Sequence, residues 1–367
     1  MINKRRLIKT FIDLVKLDSL SLREQKAAEY LRKYLKRYHL RLRELGRPPG
    51  GEIGNLACHL PGRGPRLLLN AHIDTVSPGK GIRPTKRGRY IRSDGTTILG
   101  ADNKAGVAAI LEIIAILIEK NIPHPPLDIL FTVAEEIGLI GAKAISQDEL
   151  KADYGLVLDG GDINKIINQA PTQDNLFVTI VGKAAHAGIH PEEGINAIKV
   201  ASAAIAKMKL GRIDQETTAN IGLIRGGKAT NIIPEEVELK GEARSHNLIK
   251  LKKQVAQMKN LLQASSRQAG AKCRIQVERM YNSFRIEPEH QLVARVAKAM
   301  RQENIKPQIT KTGGGSDANI FNELGIPSII LGVGADHVHT KKEQILMSDL
   351  VAGTKIVLAT IRGFYRG

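Results

Sequence analysis

Residues 67–74, Leu-Leu-Leu-Asn-Ala-His-Ile-Asp, are the stretch around which the chain is organised. A short run of apolar and small residues predicts a buried strand of a parallel sheet. Residues two apart in an extended segment point to the same side, so His72 and Asp74 leave the strand end together. Ligands bind at strand ends in open α/β sheets, and a metal-binding histidine needs an acceptor for its second ring nitrogen. A simple polar turn explains the pair equally well, so the rest of the chain decides between the two.

The length and composition indicate a globular protein with more than one domain. A chain of 367 residues is too long for one ordinary core, and its 42% hydrophobic and 25% charged residues are normal. No apolar run approaches the roughly 20 residues that span a bilayer. The basic N-terminus continues into an amphipathic helix and not into a signal peptide. Since Cys58 and Cys273 do not make a disulfide framework, we expect a cytoplasmic protein without a membrane segment.

The charge balance is strongly basic. Lys and Arg number 55 against 37 Asp and Glu, which gives a net charge of +18. Tyr30, Tyr34 and Tyr38 lie among the basic residues near the N-terminus at a spacing of four, a pattern that nucleic-acid-binding surfaces share. A surface helix with inward-packed tyrosines gives the same pattern. With no Trp and 4% aromatic residues, base stacking is poorly supported. We therefore do not expect specific nucleic-acid binding.

The periodicity predicts an α/β chain with an insertion. Helices are expected over 2–17 and 22–38, with Ser21 and Glu24 as a capping box of the second helix. Strands and helices then alternate. Between 172 and 282 the predicted order is strand, helix, strand, strand, helix, strand, which is ferredoxin-like and includes a helix over 191–210. The expected domains are therefore 1–171 with 283–367, and the inserted residues 172–282.

Polar side chains follow three successive predicted strands. Glu135 and Glu136 come directly after the strand that begins at Leu127, and Asp159 ends the next strand along the chain. Asp102 lies just ahead of a helix, where capping and the helix dipole alone favour a carboxylate. Like charges at this density need a cation to compensate them.

The residue types suit a two-metal site. Mixed His and carboxylate ligands without Cys are typical of zinc, cobalt or manganese. Two ions ~3.5–4 Å apart need one bridging carboxylate and terminal ligands for each ion. His72, the carboxylates and a late histidine are sufficient for this, and Glu135 remains as a spare carboxylate to take a proton from water.

Several motifs resemble the di-zinc exopeptidase family, which includes peptidase T, carboxypeptidase G, aminoacylase and succinyl-diaminopimelate desuccinylase. These motifs are His-Ile-Asp-Thr at 72–75, Gly-Ala-Asp-Asn-Lys-Ala-Gly at 100–106, Ala-Glu-Glu-Ile-Gly at 134–138 and Asp-Gly-Gly at 159–161. The sequence is most similar to the peptidase T-like branch, through Gly-Lys-Ala-Ala-His-Ala-Gly at 182–188, Gly-Arg-Ile-Asp-Gln-Glu-Thr-Thr-Ala-Asn at 211–220 and Gly-Glu-Ala-Arg-Ser-His at 241–246. The resemblance covers nearly the whole chain. It implies a three-layer α/β catalytic domain with two divalent metal ions, zinc first and cobalt or manganese as alternatives, and an inserted ferredoxin-like α+β lid.

The resemblance also implies a role for individual residues. Asp102 would bridge the metals, His72 and Asp159 would complete one site, and Glu136 and His339 the other. His339 is preferred over His337 because His339-Thr-Lys-Lys-Glu343 matches the late motif of the family. Asp74 would orient His72, and Glu135 would be the general base and later the proton donor to the leaving amine.

The inserted domain carries the residues implied for substrate binding. There His186 would stabilise the developing oxyanion from a partner subunit, so that the resemblance implies a homodimer through the lid. Arg244 would hold a substrate carboxylate as a bidentate fork. Asn231 and Gly314, the latter within a Gly-Gly-Gly run, would line the substrate site. The alternatives are a histidine of a lid loop and an arginine of a surface salt bridge.

The implied activity is hydrolysis of a short peptide with a free N-terminus. A hydroxide that bridges the metals would attack the peptide carbonyl and release the first residue, as in a tripeptidase-type aminopeptidase. An N-acyl-amino-acid deacylase or a carboxypeptidase with the same metals is the first alternative, because the loops that sense an ammonium or an acyl group cannot be placed from the sequence. A basic nucleic-acid-binding or anion-binding protein is the second.

Overall fold

The computed structural model describes residues 2–365, which fall into two compact units. The first unit contains the residues up to Gln169, Phe284–Thr312 and the residues from Ser316 onward. The second contains Ala170–Ser283 and Gly313–Gly315. Within residues 2–365, none of the helices combines the length and the apolar character that a membrane span requires.

Both units contain helices and strands, and the described part of the second unit has two helices and five strands. The helices are α1 (Lys4–Val15), α2 (Gln25–Lys36), α3 (Ala101–Glu119), α4 (Ile140–Lys143), α5 (Ala197–Ala206), α6 (Leu248–Gln268), α7 (Gln291–Gln302), α8 (Asp317–Glu323) and α9 (Met347–Tyr365). The strands are β1 (Arg43–Leu45), β2 (Asn55–Leu60), β3 (Leu67–His72), β4 (Thr85–Arg87), β5 (Tyr90–Arg92), β6 (Leu127–Thr132), β7 (Tyr154–Gly160), β8 (Lys165–Ala170), β9 (Thr172–Val181), β10 (Gly211–Arg212), β11 (Thr217–Gly226), β12 (Glu236–Ser245), β13 (Lys272–Tyr281), β14 (Phe284–Arg285), β15 (Gln308–Lys311), β16 (Ser328–Gly332), β17 (Ala335–Asp336) and β18 (Gln344–Leu346).

A large mixed sheet forms the centre of the first unit. Its strand order is β1-β2-β6-β3-β7-β16-β8-β14, and β15 also pairs with β8. Strand β3 lies between β6 and β7 and runs parallel to both. The carboxyl ends of these three strands therefore meet at one edge of the sheet, as the sequence predicts.

The sheet is covered on both faces. Leu67 and Leu69 of β3 join the core that contains α3, while the alternate residue Leu68 is also fully buried. Helix α8 packs on β7 and β16. Helix α3 has apolar residues on all sides, Glu112 being an exception, and it can be buried between α1, α9 and the sheet for that reason. It begins after Gly100, whose φ of 73° lies in the left-handed region that favours glycine. The predicted three-layer α/β arrangement is confirmed.

The second unit is an antiparallel sheet covered by two helices. Its strand order is β10-β11-β12-β9-β13, and α5 and α6 pack together on the sheet. Leu176, Val178 and Ile180 of β9 point into this core, where they meet Met258 and Leu262 of α6. The order β9-α5-β11-β12-α6-β13 is ferredoxin-like, with β10 as a short additional edge strand. This part of the predicted fold is also confirmed.

Two local features differ from the sequence prediction. The helix expected over residues 191–210 is shorter, since Pro191–Glu193 forms a separate 3₁₀ turn and α5 begins only at Ala197. Asn196 caps α5 by accepting a hydrogen bond from the backbone N–H of Lys199 at 2.9 Å. The small sheet β17-β18-β5-β4 of the first unit was not predicted, because strands of two or three residues carry no readable alternation.

Candidate metal centre

The carboxyl ends of β3, β6 and β7 and the start of α3 bring four of the predicted metal ligands together. His72 is the last residue of β3 and Asp159 is the last but one of β7, while Glu136 follows the end of β6. Ligand atoms of His72, Asp102 and Glu136 all lie within 4.8 Å of one another. His339, from the loop between β17 and β18, contacts the same group.

Asp102 occupies the middle of this cluster. Its Oδ1 lies 3.1 Å from His72 Nε2, which is also 3.4 Å from Asp159 Oδ1. Its Oδ2 lies 3.3 Å from His339 Nε2, which is also 3.0 Å from Glu136 Oε2. Two ligand atoms at ~2.1 Å from a tetrahedral zinc ion lie ~3.4 Å apart. The donor atoms therefore fit two metal ions that share Asp102.

The orientation of His72 leaves one ring nitrogen for a metal. His72 Nδ1 lies 3.2 Å from the backbone oxygen of Asp74 and 3.3 Å from its Oδ1. Both residues are at most 1% exposed. Nδ1 can therefore donate its proton to Asp74, and Nε2 is the ring nitrogen that faces the carboxylates, where a metal ion would take the place of its proton. Although burial opposes it, hydrogen bonds to Asp102 and Asp159 raise the pKa of His72 well above its usual value. The contact between Nδ1 and Asp74 is the one that the predicted orienting role of Asp74 requires.

The electrostatics of the cluster call for a cation. Burial and the neighbouring Asp102 raise the pKa of Asp159 to about 7. Burial also raises the pKa of Glu135 well above its usual value, and that of Glu136 is raised as well. Hydrogen bonds to Asp102 and Glu136 raise the pKa of His339 to about 10. The negative potential of the site therefore favours the binding of positive charge. Protons can supply this charge when no metal is bound, and metal ions can supply it in their place.

Glu135 stands apart from the ligand pairs. It is 9% exposed, and the charges of His72, Asp159 and Asp317 act on its carboxyl group. Its backbone N–H donates to Asp74 Oδ1 at 3.0 Å, and the N–H of Glu136 donates to Asp74 Oδ2 at 3.2 Å. Asp74 therefore contacts His72 and also holds the backbone that carries Glu135 and Glu136.

Sequence reasoning did not assign a role of its own to Glu343. Its carboxylate is 1% exposed and accepts the backbone N–H groups of Leu99, Gly100 and Asp102 at 2.7, 2.8 and 3.0 Å. It therefore fixes the turn that presents Asp102. The sequence did contain a pattern that includes Glu343, namely the motif His339-Thr-Lys-Lys-Glu343. That motif indicated a role for His339 but not for Glu343.

The predicted capping box of α2 is wrong. Helix α2 begins at Gln25, and its N-cap Glu24 makes no side-chain capping hydrogen bond. Instead, Ser21 Oγ donates to Asp74 Oδ2 at 2.6 Å, and Glu24 Oε1 accepts the N–H of Ala134 at 3.0 Å. Both side chains thus contact the elements of the metal centre.

The remaining predicted residues lie in the second unit. His186 forms an isolated β-bridge with Ile232, and the N–H of Ala187 donates to the backbone oxygen of Asn231 at 2.9 Å, so His186 and Asn231 lie on neighbouring loops. Gly314 belongs to the short glycine segment of this unit.

Arg244, on β12, has a carboxylate partner within its own strand. Its Nε and Nη2 donate to the two carboxylate oxygens of Glu242 at 3.0 and 2.9 Å. Residues two apart share one face of a strand, which brings the two side chains together. Arg244 thus presents a two-pronged fork to a carboxylate, and its role toward a substrate stays a prediction.

A cavity of about 360 Å³ opens beside the metal centre within the first unit. Asp102 and Asp159 line it together with Asp162 and Asp336. Lys165 also lines the cavity and lies 3.7 Å from Asp162 Oδ2. Among the Asp, Glu, Lys and Arg residues of the lining, the acidic ones therefore outnumber the basic one.

Comparison with known proteins agrees with this geometry. Residues 68–363 match the family model described as Peptidase family M20/M25/M40. The protein YqjE of Bacillus subtilis (strain 168) is 41% identical over 366 residues, which cover 98% of this chain and 99% of YqjE. The crystal structure of a tripeptidase from Staphylococcus aureus subsp. aureus Mu50 superimposes with a TM-score of 0.94 at 40% identity and covers 100% of both chains. That of aminopeptidase PepT from Bacillus cereus ATCC 10987 gives a TM-score of 0.87 at 40% identity and 99% coverage of both chains.

Proposed function

Since this match covers most of its length, the chain belongs to Peptidase family M20/M25/M40, and we propose that it is a metal-dependent aminopeptidase that removes the first residue of short peptides, above all tripeptides. The observation that carries the proposal is the position of Asp102, whose two carboxylate oxygens face His72 and His339 separately. The similar tripeptidase and PepT support the substrate class. They do not favour the deacylase, carboxypeptidase or polyanion-binding alternatives.

We propose two divalent metal ions at this site, with zinc first and cobalt or manganese as alternatives. His72 and Asp159 would hold one ion, Glu136 and His339 would hold the other, and Asp102 would bind both. The donor spacings of 3.0 to 3.4 Å support this division. Bound ions would supply Lewis-acid polarisation of the scissile carbonyl and a lowered pKa for water.

Glu135 is the proposed general base. It takes a proton from the attacking water and later gives a proton to the leaving amine. Burial raises the pKa of the Glu135 carboxyl well above its usual value, which favours its acceptance of a proton from water. Asp74 supports this role, since it accepts the backbone N–H of Glu135.

The acidic cavity supports a substrate with a free amino group. Asp162 and Asp336 extend the negative lining beyond the proposed ligands Asp102 and Asp159. An α-ammonium group is attracted by such a lining, whereas an acylated N-terminus carries no charge to be attracted. The free N-terminus is therefore the expected recognition element.

The proposed substrate contacts of the second unit follow the sequence prediction. His186 would stabilise the oxyanion, Arg244 would bind the substrate carboxylate, and Asn231 and Gly314 would line the site. The guanidinium fork of Arg244 binds the carboxylate of Glu242, so a substrate carboxylate would have to displace Glu242 from it. With Arg244→Ala, KM should rise for peptides with a free C-terminus and stay unchanged for C-amidated ones.

We also propose a homodimer through the second unit. This unit exposes several large apolar side chains, namely Ile189, Ile198, Ile224, Ile232, Leu248, Ile249 and Val277. Exposed apolar side chains favour association where they form a contiguous patch. Sedimentation at rising concentration tests this, and a monomer with full activity would contradict it.

A cytoplasmic location stays a prediction, which cell fractionation tests.

The deciding experiment compares three tripeptides of the same sequence: free, N-acetylated and C-amidated. The protein is loaded with zinc, cobalt or manganese and assayed with and without a chelator, beside a Glu135→Gln variant. Cleavage that requires the free N-terminus, stops with chelator and is lost in Glu135→Gln supports the proposal. Cleavage of the acetylated peptide would replace it with a deacylase or carboxypeptidase.

A further inference from the structure

The catalytic loop that carries Glu135 is held by an unusual set of contacts. The backbone N–H groups of four consecutive residues, 133–136, all donate to side-chain oxygens and not to a strand or helix. Asn55 accepts the first at 3.1 Å, Glu24 the second at 3.0 Å, and the two carboxylate oxygens of Asp74 the third and fourth at 3.0 and 3.2 Å. The loop therefore depends on acceptors from elsewhere in the chain.

The conformation of the loop makes these acceptors necessary. Ala134 has φ of 49°, in the left-handed region where a side chain is disfavoured. Strained backbone persists only where surrounding contacts fix it. Glu24 Oε1 binds the N–H of this same residue and also accepts the N–H of Leu22. Glu24 thus connects the strained residue to the segment between α1 and α2.

That segment is anchored beside the end of β3. Leu20 pairs with Thr75 in a parallel bridge, and the N–H of Thr75 donates to the backbone oxygen of Ser19 at 2.9 Å. The buried ammonium group of Lys104 donates both to Ser19 Oγ and to the backbone oxygen of Ile73. Ser21 and Glu24 are consequently held at a fixed place behind the catalytic loop.

We propose that Ser21 and Glu24 are positioning residues for the proposed peptidase reaction. Glu24 holds the backbone of Ala134, and Ser21 holds Asp74, which in turn holds the backbone of Glu135 and Glu136. The inference rests on the proposed role of Glu135. Both positioning residues precede the stretch 68–363 that matches the family model.

Glu24 is poorly suited to a purely stabilising role. Its Oε2 is buried and has no hydrogen-bond partner among the residues that the structure describes, and the side chain is 0% exposed. A buried carboxylate oxygen without a partner destabilises a fold. Such residues are retained where activity needs them at the expense of stability. We therefore expect loss of the Glu24 acceptor to lower activity. Replacement by the neutral isostere Gln keeps Oε1 and removes the buried charge, so it should leave stability at least as high as in the wild type.

The test compares Glu24→Ala, Glu24→Gln, Ser21→Ala and Ser21→Thr with the exposed control Glu29→Gln on α2. In Glu24→Ala and Ser21→Ala, kcat at saturating metal should fall by about 10- to 100-fold, while KM stays within about twofold because neither residue is a proposed substrate contact. Glu24→Gln keeps the oxygen that accepts both N–H groups and Ser21→Thr keeps the hydroxyl group, so both should retain kcat, and Glu29→Gln should behave as wild type. The melting temperature of Glu24→Gln should equal or exceed that of wild type.

Amide hydrogen exchange over residues 133–136 supplies a second readout. It should accelerate in Glu24→Ala and Ser21→Ala and remain slow in Glu24→Gln and Ser21→Thr. Unchanged kcat in both alanine variants, or a loss of kcat that follows melting temperature alone, would overturn the inference. If wild type and Glu135→Gln behave as the proposed function requires while these variants are normal, only the positioning inference fails. If wild type cleaves no peptide, the proposed function itself fails.

Discussion

Glu343→Gln should weaken metal binding in addition to weakening the fold. Glu343 Oε2 accepts two backbone N–H groups and its Oε1 accepts that of Asp102. A glutamine that keeps its oxygen toward Leu99 and Gly100 turns its NH₂ group toward the N–H of Asp102. Two donors then face each other, and the Asp102 N–H loses a bond to a charged acceptor, worth about 1.5–3 kcal/mol.

The size of the expected effect follows from the position of Asp102. Because Asp102 would bind both ions, movement of its backbone weakens both sites together. Groups that orient metal ligands typically change metal affinity ~10–100-fold, and a change of roughly 30-fold corresponds to about 2 kcal/mol. Ligand-induced stabilisation falls by a similar free energy. The difference in melting temperature between metal-loaded and metal-free protein should therefore shrink by roughly 4–8 °C.

Competition with a fluorescent chelator measures the affinity, and calorimetry of loaded and metal-free protein measures the stabilisation. The exposed Glu323→Gln on α8 is the matched control. If Glu343→Gln binds metal as wild type does, the three hydrogen bonds do not position Asp102. If it lowers the melting temperature of loaded and metal-free protein equally, Glu343 supports the fold alone.

Two further predictions concern the metal centre itself. His339→Ala should reduce bound metal from two ions to one per chain and abolish activity. The control His337→Ala should retain both ions, and elemental analysis measures the metal content of each variant. Equal loss of metal in the two variants would contradict the choice of His339 as the ligand. The stability of metal-free protein should fall as the pH rises from 5 to 8. The folded state raises the pKa of Asp159 to about 7 and that of His339 to about 10. In this pH range it therefore binds more protons than the unfolded state, and a rise in pH favours unfolding. Metal-loaded protein should not show this decline in melting temperature, and a rise for metal-free protein over the same range would refute the argument.

Local patterns in the sequence sufficed to place the cluster that the structure shows. His72, Glu136 and Asp159 each follow a buried apolar run, and parallel neighbours necessarily bring their carboxyl ends to one edge. Asp102 was less certain, because a helix N-terminus alone explains a carboxylate there. Its contacts with two histidines come from tertiary structure and not from the helix.

The residues that hold the loops were harder to predict. Glu343 and Glu24 bind backbone N–H groups of residues distant in sequence, and a backbone N–H leaves no side-chain signature at its own position. Ser21 and Glu24 have the spacing of a capping box, which is a contact within one helix end. The prediction is wrong because their actual partners, Asp74 and Ala134, lie on other elements of the first unit.

The arrangement of carboxylates explains why such acceptors are needed. The proposed ligands Asp102, Glu136 and Asp159 repel one another while they are charged and no cation is present, so we do not expect their loops to be held by these carboxylates alone. Instead, the buried carboxylates Glu343 and Asp74 bind the backbone N–H groups of the loops that carry Asp102 and Glu136. One set of carboxylates thus faces the metal positions, and another set faces the peptide backbone behind them. Because the second set does not depend on the ions, the ligand geometry should persist in metal-free protein, and metal should bind to loops that are already in place.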